Sequence, residues 1–494
     1  MVEMLRAGGT KEEMLTAAVA LEQQGRTAEA LAAYQHLLEF WPGLPDAWYN
    51  LARLQRHTGQ YARALISYQE ALERAVTRPE EVHLNRGVIF SDYLNQYDAA
   101  ETELKKALEI NPLYVPALIN YANLHEDLGR RDLAAQIYAR LLVLDPDSPT
   151  ALARYAGLKN FSDPNDPLIE RLRRALDSSG ISFTSRANVE FALGRALDAT
   201  GQFDAAFQVY RQANRHSREG APAGTGHYDL GLQEKLTDQL ISVFGKRVRS
   251  DLQRPANGPQ PVFICGMFRS GSTLLEQLLA GHPGITAGGE LEFIPHAVNT
   301  DLAPFPESFI SLSSERLDRL AEEYRAMLAE RFPGAINLTD KRPDNFLYIG
   351  LIKALFPAAK IIHTVRAALD NCLSIYFLNI DPRMSYALDL LDIGHYYRQY
   401  RRLMAHWKTL FPDDIIDVNY DALVREPKLQ LEQALAFLGL SWDERCATVP
   451  VAGRTVRTAS VWEVREPIHA RSSGRANNYS RHLQEVQKYI ASDL

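Results

Sequence analysis

Cysteine is scarce, with three in 494 residues. Cys265, Cys372 and Cys446 lie far apart, with no CxxC pair and no His at metal-ligand spacing, which argues against a disulfide framework or a zinc site and favours a reducing compartment. Basic charge is not in excess either. Lys and Arg total 54 against 61 Asp and Glu, for a net charge of −7, so a general nucleic-acid binder is disfavoured and any anion site must be local. No run approaches the ~20 apolar residues of a membrane span, and the N-terminal stretch MVEMLRAGGTKEEM has no apolar core ahead of a small-residue cleavage site. These absences predict a soluble, cytoplasmic chain with no membrane partner. Its 494 residues exceed what one hydrophobic core usually serves, so two domains are expected.

The first half carries an internal repeat. Ala30, Ala64, Ala100 and Ala134 recur at intervals of 34, 36 and 34 residues, and Tyr34, Tyr68, Leu104 and Tyr138 follow each by four. That spacing sets a small and a bulky residue on one helical face, so that paired helices interlock. Gly25, Gly59 and Gly129 stand five residues before the small Ala, where an inter-helix turn needs positive φ, and Pro42, Pro112 and Pro146 close the second helix of each unit. The segment from Pro45 to Glu73 resembles the tetratricopeptide repeat, with Trp48, Leu51, Gly59, Tyr61, Ala64, Tyr68 and Ala71 at its signature positions. After a degenerate stretch the pattern returns around Gly201, Ala206 and Tyr210. The predicted array spans 11–218, followed by a linker and connecting helix over 219–259. Such solenoids offer a concave face to a peptide or protein partner, and serve equally as spacers or as a homodimer platform.

From Pro261 the pattern changes to a short apolar run, PVFIC, then a Gly-containing turn and a helix, GMFRSGSTLLEQLL. Helix N-terminal N–H groups attract an anion, and Gly266 and Gly271 let backbone approach it closely. Ser270, Ser272 and Thr273 add hydroxyls, while Ser272 occupies the place where a P-loop NTPase carries its lysine. That substitution disfavours triphosphate chemistry and leaves Arg269 to contact another anionic group. Further on, INLTD and KIIHTV read as buried parallel strands. Arg366 stands at the carboxyl end of the second, where open α/β sheets bind ligands, and Ser374 follows eight residues later.

Residues 269–274, RSGSTL, resemble the 5′-phosphosulfate loop of the sulfotransferase family. The likeness is closest to tyrosylprotein sulfotransferases, since LLAGHPGITAGGELEFIP keeps their L-x-x-H-P, acidic residue and I-P pair in register. It implies an α/β P-loop-like domain with a parallel sheet over 260–494. The implied donor is 3′-phosphoadenosine 5′-phosphosulfate (PAPS), leaving as PAP, with no metal required. Glu290 aligns with the family's catalytic base. Its competing reading is a charge near the start of a helix. Lys341 corresponds to the lysine of the family's N-K-D-P-F segment, here DKRPDNF, and neighbouring Arg342 reads as a solvated charge. Arg366 and Ser374 match the 3′-phosphate pair, though Ala367, Ala368 and Leu369 replace the D-G-R that often follows. Tyr420, in the segment matching [YF]-[ED]-x-L, is a candidate adenine contact or a core tyrosine. Arg475, in RSSGRANNY, is a candidate phosphate contact or a solvated arginine beside a turn. The implied acceptor is a hydroxyl of a protein tyrosine, another peptide residue or a glycan. A P-loop kinase or NTPase and a non-catalytic repeat scaffold are the competing functions.

Overall fold

The computed structural model describes residues 9–178, 180–245, 261–447 and 468–492. The chain divides into two compact units, Met1–Lys159 and Asn160–Leu494. The first is a stack of helical hairpins: Lys11–Gln23 with Thr27–Phe40, Pro45–His57 with Tyr61–Glu73, Pro79–Val88 with Tyr97–Ile110, and Val115–Asp127 with Arg131–Leu144. Ala30, Ala64, Ala100 and Ala134 are fully buried, and the rings of Tyr34, Tyr68 and Tyr138 are buried beside them. Small side chains thus admit large ones, as the spacing requires. The hairpin turns at Gly25, Gly59 and Gly129 have φ between +72° and +74°. The third hairpin has no glycine there. Asn95 takes the left-handed conformation instead, at φ +54°, a state asparagine tolerates.

The second unit holds a five-stranded, wholly parallel sheet: β1 Val262–Gly266, β2 Ile285–Ala287, β3 Asn337–Lys341, β4 Ile361–Val365 and β5 Ile415–Asn419, in the order β2-β3-β1-β4-β5. Both faces are covered. Val262 and Ile264 of β1 pack with the helices Ser272–Leu279 and Pro427–Phe437, whereas Phe263 meets Tyr324 and Phe356 on the other side. Two-sided burial explains the unbroken apolar run of β1, whereas β3 carries Asn337, Thr339, Asp340 and Lys341. Because chain order reverses on either side of β1, a crevice opens at its carboxyl end, the customary ligand position of such sheets.

The repeat-like hairpin Phe183–Ala199 and Phe203–Glu219, inside the expected array of 11–218, belongs to this second unit. Its packing shows why. Tyr210 stacks on Phe377 at 3.9 Å between ring centroids, Phe207 stacks on His482 at 4.1 Å, and the buried Asn214 amide donates to the Tyr376 carbonyl at 2.8 Å. The connecting helix expected within 219–259 is observed over Leu230–Val243, and residues 246–259 of that expected segment lie outside the described residues. Among the described residues, no helix is long and apolar enough to cross a membrane.

Candidate active site

Parallel pairing in register brings four strand ends level. Gly266 pairs with Thr364, Ile264 with Lys341, and Val365 with Asn419. The residues that follow or end these strands, Arg269, Lys341, Arg366 and Tyr420, therefore gather at one edge of the sheet.

The loop after β1 turns tightly. A methyl group on Gly266 would lie 2.5 Å from the Thr364 carbonyl oxygen, and one on Gly271 would lie 2.3 Å from the Tyr420 ring, so side chains are excluded at both positions. Gly271 is the N-cap of the helix Ser272–Leu279 and has φ +96°. Lacking a side chain, it offers the first N–H groups no capping acceptor, which leaves that helix end open to an anion. Ser272 and Thr273 are the first two residues of this helix. Ser270 is buried, and its Oγ lies 2.6 Å from Thr364 Oγ1 on β4. Arg269 sits in the left-handed region at φ +66° and donates from Nε to Ser374 Oγ at 3.1 Å.

Arg366 is 6% exposed. Its Nη1 donates to the Arg269 carbonyl at 3.0 Å and its Nη2 to the Ser472 carbonyl at 2.5 Å, with the guanidinium 4.8 Å from the Tyr420 ring centroid. The two arginines, Ser374 and Tyr420 are thus one connected group. Tyr420 covers both Arg366 and the loop glycine.

At the opposite side of β1, Lys341 Nζ donates to Glu290 Oε1 at 2.5 Å. The Lys341 side chain is 1% exposed and that of Glu290 is 38%, so an incoming molecule can reach the carboxylate while the ammonium lies behind it. Glu290 stands two residues before Glu292, the N-cap of the helix Phe293–Asn299. Arg342, read as a solvated charge, instead donates to Glu292 at 2.6 Å and to Asp344 at 3.0 Å.

Arg475 is placed elsewhere. Its guanidinium donates to Asp198 Oδ2 at 2.7 Å and lies 5.1 Å from the Phe377 ring centroid, turned toward the helical hairpin and not toward the loop. A carboxylate and an aromatic face outweigh solvent for a planar cation, and no local pattern marks a partner 277 residues away.

Several contributors escaped the sequence reading. Glu276 is buried, and its Oε1 accepts from Gly289 N–H at 3.1 Å and from Thr339 Oγ1 at 2.7 Å, fixing the turn that carries Glu290. Burial raises its carboxyl, opposed by the charge of Lys341. A charged residue inside the apolar helix STLLEQLL was the available signal. Asp370, also buried, accepts from Gly474 N–H at 2.6 Å and Ala476 N–H at 2.7 Å, tying the C-terminal turn to the helix that bears Ser374.

Asp340 lies at the neighbouring position on β3. Burial pushes its carboxyl up to about 7, partly offset by donation from Tyr324 Oη at 2.8 Å and from the Asn345 amide. A folded value above the ordinary 3.8 means that stability from this group is complete below pH ~4 and is lost as pH rises toward 7. Asp340→Asn should therefore gain on the parent by on the order of 2 kcal/mol between pH 5 and pH 8, with little further change above. Denaturant unfolding of both proteins across that range measures the gap, and a constant gap would mean the carboxyl titrates normally.

Residues 261–444 match the sulfotransferase family, and residues 15–79 and 94–159 match two tetratricopeptide repeat families. An uncharacterized protein of Aquifex aeolicus is 29% identical over 86% of this chain and 57% of its own length, so the chain spans little more than half of that relative. Protein-tyrosine sulfotransferase A of Caenorhabditis elegans is 25% identical over 48% of this chain and 62% of its own. Among solved structures, the sulfotransferase domain of the Synechococcus PCC 7002 olefin synthase aligns with a TM-score of 0.36 and 23% identity, covering 49% of this chain and 98% of that one. The family models thus find, in one chain, tetratricopeptide repeats followed by a match to the sulfotransferase family over the residues that hold the sheet and the loop after β1.

Proposed function

We propose that the protein transfers a sulfuryl group from PAPS to an acceptor hydroxyl, with protein tyrosine as the acceptor class. The observation that carries the reading is the spatial division of the cations. Arg269 stands at the open helix end and bonds Ser374, Arg366 is a second cation on the same side, and Lys341 lies with Glu290 across β1. A donor with phosphates on both the 5′ and 3′ positions needs two anion sites, and a triphosphate needs one continuous cradle with a lysine in the loop. The acceptor class rests on the Glu290 segment, in register with tyrosylprotein sulfotransferases, and on the likeness to proteins of that name.

Glu290 takes the acceptor proton as the acceptor oxygen forms its bond to sulfur and the bond from sulfur to the bridging phosphate oxygen breaks. The phosphate end leaves as PAP. Arg269 and Lys341 stabilise charge on the equatorial and departing oxygens from fixed positions, with no reorganisation at the moment of transfer. Tyr420 presents its ring to the adenosine end, and Ser270, Ser272 and Thr273 with Gly271 line the 5′ side.

Equilibrium binding of PAP and of ATP to the full chain tests the donor. PAP should bind more tightly by at least about tenfold, and tighter ATP binding would overturn the reading in favour of a kinase or NTPase. Transfer of labelled sulfate to tyrosine peptides, with glycans assayed in parallel, tests the acceptor. Labelling of glycans alone would reject the tyrosine assignment.

A further inference from the structure

The hairpin that looks like one more repeat is joined to the donor side of the sheet through a single carboxylate. Asp198 ends the helix Phe183–Ala199. It accepts from Arg475 Nη2 at 2.7 Å and from the Tyr479 hydroxyl, and Arg475 is further held by the Phe377 ring. Arg475 closes a turn whose preceding residues are bonded around Arg366. The Ser472 carbonyl accepts from Arg366 Nη2 at 2.5 Å, Ser473 Oγ from Arg425 at 3.1 Å, and the Gly474 and Ala476 N–H groups donate to Asp370. Arg366 in turn holds the Arg269 carbonyl of the loop.

We infer that Asp198 is a positioning residue for donor binding: by anchoring Arg475 and Tyr479 it holds the 472–476 turn in place over Arg366. The hairpin is then part of the donor site and not of an acceptor-recruiting array. Glu290 and Lys341 hold no bond in this chain, whose far end is the Arg269 carbonyl, so the effect falls chiefly on donor affinity. The inference rests on the PAPS reading, which fixes the ligand of Arg366.

The test compares Asp198→Asn with Asp204→Asn in the full chain. Asp204 lies on the same hairpin and pairs with His482 at 2.7 Å, outside the turn. Asp198→Asn should raise KM for PAPS and Kd for PAP by about tenfold or more, with kcat at saturating donor and KM for the acceptor within about twofold of the parent. Asp204→Asn should leave all of these at the parent's values. An equal rise in both variants would make the effect one of general hairpin docking and overturn the inference, as would parent-like donor affinity in Asp198→Asn. Tighter donor binding by Asp198→Asn would also overturn it, because Arg475 would then be a phosphate ligand restrained by Asp198. If Asp198→Asn fails to fold, Arg475→Lys, which keeps the charge and loses the planar fork, should show the same KM rise with unchanged kcat, and parent-like kinetics would reject the proposal. A parent protein that does not bind PAP at all would instead reject the donor reading.

Discussion

Glu290→Gln is expected to lower kcat by about 10²–10⁴-fold while leaving PAP affinity within about twofold of the parent. The amide fills the same space and its oxygen can still accept from Lys341 Nζ, so the buried ammonium keeps a partner and the local structure persists. What is lost is the capacity to accept a proton. The chief rival explanation makes Glu290 only a clamp on Lys341, and acceptor chemistry separates the two. As the acceptor hydroxyl becomes more acidic, less depends on a base, so a series of fluorinated tyrosine peptides should progressively restore the variant relative to the parent. A clamp would give a deficit that ignores acceptor pKa. A variant that transferred sulfate at the parental rate to unmodified tyrosine would remove Glu290 from the mechanism.

The elements that position this site were legible because each leaves a local mark. The strands β1, β3 and β4 are short segments buried on both faces, and they appear within one residue of the runs PVFIC, INLTD and KIIHTV. The loop is legible because an anion site at a helix start needs glycine at fixed offsets, and two of those glycines admit no Cβ. What was not legible is who packs against whom. The Ala206 and Tyr210 signature describes how two helices of one hairpin interlock, and says nothing of the surface the pair then covers. Phe207 and Tyr210, which face Phe377 and His482, could therefore be read as one more repeat. The pair Asp198 and Arg475 is a contact across most of the second unit, and no periodicity encodes it. β2, three residues long and ending beside two glycines, is too short for any pattern to announce. Asp340 and Glu276 are carboxylates that sequence alone would send to the surface. They stay inside because Tyr324, Asn345, Thr339 and Gly289 supply the donors.

Arg366→Ala should flatten the preference for a 3′-phosphate. In the parent, PAP should bind more tightly than 5′-AMP by about 10²-fold, since a charge-assisted pair to phosphate contributes roughly 1.5–3 kcal/mol. In the variant that ratio should approach unity. The ratio is the informative quantity because Arg366 also supports the Arg269 carbonyl and the Ser472 carbonyl. Loss of that support loosens the loop for both nucleotides alike and cancels in the comparison, whereas loss of the 3′-phosphate contact affects PAP alone. In the structure each outer nitrogen of Arg366 donates to one backbone carbonyl and carries a second N–H that a phosphate can take. Ser374→Ala, which removes a hydroxyl bonded to Arg269 and not to Arg366, should lower the ratio severalfold and no further. Should Arg366→Ala bind PAP and 5′-AMP with the parental ratio, the second phosphate would have to be read by another group, and the division of anion sites on which the donor assignment stands would be lost.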